Sequence, residues 1–451
     1  MEVITNIAPD FLQIFNYAFL FVTKYYGWVF FVWGLAYMMW VEYLEEIQGQ
    51  FVGSIEWTFL KILVPKENKV STLAVESIFS QMHALHKSLT FNEMYMEGRV
   101  QQWYSLEIVS LGGNVSFLLR VPTKARSLVE SAFYSQYPTA VIQEVEDYMQ
   151  NFNINPFDDK DPYDIFGTEF KMVSDSVLPI KTYKDFEHPS AEETIIDPLG
   201  NLIESMERLQ PHEVIALQYL IKPIQNNEFE GRAIRKIKEL TGEEMPHETS
   251  FMHILMAPFE WFAKFSYKEA MLGGGHGHHE EPVNKPRNNW MSMSEGEKTR
   301  VALIENKLNK PCYNTKIRLI YIAPKANFDN NRRSEIIGAI RQFSPGGGAG
   351  IHNTIKIDKR VWTKVDPLFS KSLEKPYLDS TTKNRKLWFI KGFKKRSTHI
   401  GSAAFLLGVE EIATLFHFPI TAEGAFAPAQ VQAIASKTSR PPADLPIGEM
   451  N

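Results

Sequence analysis

The sequence has a single cysteine, Cys312, in 451 residues. One thiol cannot build an internal disulfide framework, so stability has to come from buried apolar surface, and a reducing compartment fits. An excess of basic residues is also missing. The 48 Lys and Arg stand against 53 Asp and Glu, a net charge of −5, so no global positive field points to nucleic acid. A phosphate-binding loop of the form G-x-x-x-x-G-K-[ST] is absent as well. Gly296-Glu-Lys-Thr299 has the lysine and the hydroxyl without the earlier glycine, and Gly346-Gly-Gly-Ala-Gly350 has glycines with no lysine after them. ATP hydrolysis by that chemistry is excluded for this chain on its own. Charge itself is scarce near the start: between Phe11 and Val41 only Lys24 is charged.

What stands there instead is an apolar, aromatic-rich run. Tyr25 to Val41 is uncharged and rises roughly 26 Å as a helix; extension back to Tyr17 reaches the about 30 Å of a bilayer core. Tyr17, Tyr25, Tyr26 and Trp28 towards one end, and Tyr37, Trp40 and Tyr43 towards the other, resemble interfacial belts. A cleaved signal peptide does not fit, because no basic region precedes the run and no small-residue cleavage site follows it. Lys61, Lys66 and Lys69 place the downstream side in the cytoplasm. The expectation is a single-pass cell-membrane protein, with a transmembrane helix at about residues 17–41 inside an anchor of residues 1–50 and a cytoplasmic soluble part.

Beyond the anchor, one pattern occurs three times: strand, proline, amphipathic helix. Trp57–Pro65 precedes Val75, Ile78, Phe79, Met82, Leu85, His86 and Leu89 at helical spacing. Val115–Pro122 precedes Ala125, Leu128, Val129, Ala132 and Phe133, and Lys316–Pro324 precedes Ile336, Ile337 and Ile340. Proline suits a strand exit because it cannot donate to a ladder. Tyr104–Ser110, Gly112-Gly113-Asn114 and Val115–Val121 read as a hairpin with a glycine turn. With a further strand at Ala140–Val145, the order strand–helix–strand–strand–helix–strand is the split βαβ arrangement. Phe166–Met172, Leu178–Tyr183 and Val214–Ile221 are further predicted strands, and Leu199, Leu202, Ile203, Met206 and Leu209 trace a helix.

The predicted fold class is α+β: an N-terminal transmembrane helix followed by two ferredoxin-like (split βαβ) domains and an exposed C-terminal connector. The first domain covers residues 51–150, a linker rich in Asp, Asn and Pro covers 151–165, and the second domain covers 166–400 with a Gly/His-rich insertion at 273–292. Residues 401–451 form a helix and an extended connector.

Few residues carry chemistry. His276, His278 and His279 with Glu280 and Glu281 offer metal-ligand types, but a glycine-rich loop without a distant ligand pair reads as solvated linker, so no metal or other cofactor is expected. His83 and His86 lack the H-E-x-x-H arrangement and read as partly packed helix positions. Cys312 follows a proline with no neighbouring base, and no catalytic constellation emerges. The densest charge feature is a basic run: Lys383, Arg385, Lys386, Lys391, Lys394, Lys395 and Arg396, interleaved with Trp388, Phe389 and Phe393. Three readings are open for it: a strand with core aromatics and solvated ends, contact with nucleic acid, or contact with anionic lipid headgroups.

The run Leu106-Glu-Ile-Val-Ser-Leu-Gly-Gly-Asn-Val-Ser-Phe, then Leu128-Val-Glu-Ser-Ala-Phe-Tyr-Ser-Gln-Tyr-Pro-Thr-Ala and Glu144-Val-Glu-Asp-Tyr148, resembles a membrane-proximal region found ahead of or beside the motor domains of type IV secretion and conjugation ATPases in Candidate Phyla Radiation bacteria. Leu407-Gly-Val-Glu-Glu-Ile-Ala-Thr-Leu-Phe-His-Phe-Pro419, followed by Pro441-Pro-Ala-Asp-Leu-Pro446, is similar to the connector into such a motor. The resemblance implies a non-catalytic, membrane-anchored platform that docks a P-loop motor ATPase in a separate chain, with Glu410, Glu411, Phe416 and His417 on the connector and a homo-oligomer as a further partner. A separated N-terminal half of a longer motor, and an unrelated membrane scaffold binding lipid or protein, are the alternatives.

Overall fold

The computed structural model describes residues 7–65, 70–186, 197–241, 293–344, 350–365 and 375–419. The Gly/His-rich insertion and the stretch from residue 420 onward lie outside them. The chain divides into two compact units: Met1–Glu56 with Ser88–Gln101, and Trp57–Lys87 with Gln102–Asn451.

In the first unit, helix α1 runs from Ile7 to Ser54, 48 residues, or about 72 Å at 1.5 Å per residue. The short helix α3 (Phe91–Tyr95) opens on a capping box, in which Thr90 Oγ1 accepts from the Glu93 amide and the Glu93 carboxylate accepts from the Thr90 amide. Within this unit Trp40 of α1 stacks on Tyr95 with ring centroids 6.3 Å apart.

Length is not what α1 lacks for spanning a membrane; sustained apolarity is. Among the described residues no helix is both long and apolar enough to cross a bilayer, and this corrects the single-pass anchor and the membrane localisation drawn from the sequence. The run owes its low charge to Tyr25, Tyr26, Trp28, Trp33, Tyr37 and Trp40, whose O–H or N–H suits an interface better than hydrocarbon. Lys24 interrupts it on one side, and Glu42, Glu45 and Glu46 close it on the other.

Among the described residues the second unit is built on one nine-stranded antiparallel sheet. Its strands are β1 (Trp57–Leu63), β2 (Tyr104–Leu111), β3 (Asn114–Pro122), β4 (Val141–Glu144), β5 (Tyr163–Met172), β6 (Val214–Pro223), β7 (Cys312–Pro324), β8 (Ile355–Ile357) and β9 (Phe405–Gly408). The order is β4-β1-β3-β2-β6-β7-β5-β8, with β9 beside the first residues of β7. Each half repeats one order: β4-β1-β3-β2 on one side and β8-β5-β7-β6 on the other. The expected pair of separate ferredoxin-like domains is nevertheless corrected. Strands β2 and β6 pair in unbroken register from Tyr104↔Ile221 to Leu111↔Val214, so the two halves share one sheet. Both strands are buried along nearly their whole length, and pairing them removes two edges that would otherwise expose unpaired N–H and C=O groups.

The β2–β3 hairpin turns through Gly112 and Gly113 at φ +58° and +90°, as a two-residue turn requires. A Cβ on Gly113 would lie 2.7 Å from the Glu207 carbonyl oxygen, so the turn also fits the neighbouring helix only as glycine.

Helices α2 (Thr72–Met82), α4 (Arg126–Gln136), α5 (Gly200–Glu207), α8 (Asn330–Arg341) and α10 (Val409–Leu415) supply apolar side chains to the larger core, on the sheet face of Leu106, Leu119, Leu217 and Leu319. Helix α9 (Lys375–Lys395) and the loops around Tyr148 and Ile154 cover the opposite face, against Val109, Ala216 and Ile320. Helices α6 (Asn226–Thr241) and α7 (Glu295–Leu308) form a third cluster with Cys312 and Leu406.

Three local expectations change. Leu178–Tyr183 is irregular chain leading into a single 3-10 turn, not a strand. The basic run is helix, because Phe389, Ile390 and Phe393 recur at helical spacing and bury against the sheet. Residues 405–419 are core rather than exposed connector: β9 extends the sheet, and Phe416 is fully buried among Phe79, Phe117 and Tyr219.

Candidate functional site

Glu107, Gln218, Arg318 and Glu169 are buried polar positions in four strands that lie side by side in the sheet. Sheet register aligns them: Glu107 pairs with Gln218, Gln218 with Arg318, and Arg318 with Glu169, across β2, β6, β7 and β5. Their side chains therefore form one row on one face, and all four are at most 2% exposed. Gln218 Nε2 donates to Glu107 Oε1 at 3.1 Å, Arg318 Nη1 to Gln218 Oε1 at 3.4 Å, and Arg318 Nε to Glu169 Oε1 at 2.7 Å.

The segment following α9 closes the row at both ends. Arg396, held at φ +49° and fully buried, donates to Glu107 Oε1 at 3.0 Å and to Asp147 Oδ1 at 2.8 Å, with its guanidinium 4.7 Å from the Phe59 ring centroid. At the other end the Ser402 hydroxyl donates to Glu169 Oε2 at 2.6 Å. Arg318 donates to the carbonyls of Gly392, Ser397 and Ile400. Gly401 has φ +103°, and a Cβ there would fall 2.0 Å from Glu169 Oε1, so the loop passes over the carboxylate only as glycine.

Electrostatics follow from this enclosure. Burial alone pushes the Glu107 carboxyl up. The Arg396 charge, with hydrogen bonds from Arg396, Ser105 and Tyr148, outweighs burial and holds Glu107 below its ordinary value. Burial also opposes the Arg396 charge, but Glu107, Tyr148 and Asp147 reverse that and raise it. Tyr148, buried and hydrogen-bonded to Glu107 Oε2 at 2.8 Å, is raised well above its usual range. Arg120 is pulled down to about 10 by burial and by the neighbouring Arg396. Every carboxylate oxygen of Glu107 and Glu169 accepts at least one hydrogen bond. With the charges paired and covered, the row acts as a clamp between the sheet and the end of α9 rather than as an acid or base open to substrate.

A second charged cluster fixes α10. Lys307 Nζ lies 2.7 Å from Glu411 Oε2, with both side chains at most 3% exposed, and also donates to the carbonyls of Ser176 and Leu406. Lys310 bridges Glu76 and Glu410, while Lys184 reaches Glu410 at 3.0 Å. His417, the last of the connector residues, contacts Asp197 Oδ1 through Nε2 at 2.9 Å and the Ala413 carbonyl through Nδ1 at 2.9 Å. Glu410, Glu411, Phe416 and His417 are thus brought together, but as the packing of α10 and not as an exposed arm.

The seven basic positions are not brought together. Lys383 pairs with Asp159, Lys386 with Asp164, Arg385 donates to the Trp362 carbonyl, and Arg396 lies in the buried row. Lys394 is half-buried, and only Lys391 and Lys395 among the seven are exposed. His83 and His86 stack at 5.9 Å, and burial lowers the His83 pKa. Among the described residues no group of His, Cys, Asp or Glu could hold a metal ion. Ser402 also lines a cleft of about 240 Å³ with Lys171, Arg360, Ser174 and Ser176, and a second cleft of about 460 Å³ is lined by Asn151, Asn153, Asp158, Lys160 and Asp161.

Sequence reasoning missed the row itself. A signal was present, since a Glu, Gln or Arg set among apolar residues of a buried strand must find a buried partner. Which strands lie side by side was not readable, so the partners were not either.

The sequence model of a family described as a domain of unknown function, DUF8128, matches residues 42–423, most of the chain, and the chain belongs to that family. The match begins inside α1, so Trp28–Met39 precede it. A search of curated proteins returns no match.

Proposed function

We propose that this protein is a non-catalytic assembly platform, an α+β body that presents α1 to a partner P-loop motor ATPase in a separate chain. The observation that carries the reading is the surface of α1. Trp28 is 65%, Phe31 69% and Met39 73% exposed, and Val29, Val32, Trp33, Leu35, Met38, Trp40 and Tyr43 are exposed beside them. Apolar area left in water is unfavourable by about 25 cal/mol per Å², and a contiguous patch of this kind marks an interaction surface. The class of partner rests on the resemblance of Leu106–Phe117 and Leu128–Ala140 to regions beside secretion and conjugation motors.

The test is co-expression of the full chain with the P-loop ATPases encoded beside its gene, followed by purification through a tag on this chain. The ATPase is expected to co-purify with the wild type and to be lost with Val29→Glu/Trp33→Glu. Equal retention by both proteins, or no retention by the wild type, overturns the reading. ATP turnover by the purified chain alone overturns its non-catalytic part.

A further inference from the structure

The exposed residues of α1 fall on two faces. At 100° per residue, Trp28, Phe31, Val32, Leu35, Met38 and Met39 share a stripe about 120° wide, and Val29, Trp33, Ala36, Trp40 and Tyr43 share a second one beside it. The first stripe has the 3–4 spacing of a coiled-coil seam, with residues 28, 31, 35 and 38 at successive a and d positions. Charges continue the same stripe at both ends: Lys24 before it, and Glu42 and Glu46 after it.

We infer that this stripe is covered by the same stripe of a second copy of the chain, antiparallel, with a two-fold axis at Leu35. The inference rests on the proposed role of α1 as a docking element and names the occupant of one of its faces. Three observations support it. A two-fold axis at Leu35 sets Phe31 against Met39, Val32 against Met38 and Leu35 against its own copy, so five of the six apolar positions meet each other while Trp28 stands against Glu42. The same axis sets Lys24 opposite Glu46, whereas a parallel pair would align Glu42 and Glu46 with their own copies. The overlap of residues 24–46 is about 34 Å long. Six large apolar side chains from each copy, at on the order of 100 Å² each, reach the roughly 1,000 Å² that a specific interface needs. The second stripe, with Val29 and Trp33, stays open for the motor.

The experiment is disulfide trapping on the full chain, with light scattering for mass. Cys312 is fully buried, and burial pushes its thiol up to about 12, so an introduced cysteine is the reactive one. A mixture of Phe31→Cys and Met39→Cys proteins is expected to give a cross-linked dimer, and Phe31→Cys alone is not. The wild type is expected at twice the 51.8 kDa chain mass, falling to the chain mass in Leu35→Glu/Met38→Glu. Cross-linking of Phe31→Cys alone overturns the antiparallel register, and a monomeric wild type at micromolar concentration overturns the dimer. Flotation of the wild type, but not of Leu35→Glu/Met38→Glu, with phosphatidylglycerol/phosphatidylethanolamine vesicles assigns the stripe to lipid and overturns it as well. A monomer that still co-purifies with the motor refutes this inference alone; a dimer that captures no motor refutes the platform reading alone.

Discussion

Helix α1 and the centre of the sheet invert the usual placement of side chains. On α1, large apolar residues face solvent; under α9, Glu107, Arg318, Glu169 and Arg396 lie at most 2% exposed. The first arrangement is unfavourable unless another surface covers it. The second holds because each buried charge has an opposite charge and hydrogen bonds within 3 Å. The contrast separates two jobs. Buried charges fix one chain segment against another and serve the fold, while an exposed apolar helix serves an encounter outside the chain.

The largest expected effect breaks the buried side of this comparison. Arg318→Met leaves Glu169 buried without its opposite charge, and should destabilise the protein by about 3–5 kcal/mol in urea unfolding. Adding Glu169→Gln should recover a large part of that loss, because the pair is then removed together; a double variant no better than the single one would show that the row is not coupled. Next in size is Gly401→Ala. With φ +103° and its Cβ on Glu169 Oε1, it should cost about 2–3 kcal/mol in the same measurement.

A smaller, directional effect follows from Glu107. Its folded pKa lies below its unfolded value, so the stability it contributes is complete above the unfolded glutamate pKa. That contribution is lost as pH falls from there through the depressed folded value. The urea midpoint of the wild type should decline across this acid window, and Glu107→Gln should flatten that part of the decline. Smallest is the effect of Lys391→Glu and Lys395→Glu, on the exposed side of α9. Each should leave stability within about 0.5 kcal/mol of the wild type, which separates these two solvated lysines from buried Arg396 in the same run.

Local pattern alone located much of the body. The strands that became β1, β3 and β6 and the Gly112-Gly113 turn follow from short apolar runs, prolines at strand exits and glycines able to take positive φ. The basic run was misread because Trp388, Phe389 and Phe393 suit a strand as well as a helix, and short apolar sets do not separate the two periods. Residues 407–419 read as a connector from their resemblance to the connector into a motor. Their burial is decided by α2 and β7, whose side chains lie far away in sequence.

The sequence by itself determined the α+β grammar, the hairpin and the low charge of α1, because turn chemistry and periodicity act over neighbouring residues. It did not determine that β2 and β6 would join two halves into one sheet, nor that Glu107, Gln218, Arg318 and Glu169 would stand in one row. Register between residues a hundred or more positions apart is set by which apolar faces bury together. Only the tertiary structure decides which buried charge meets its partner.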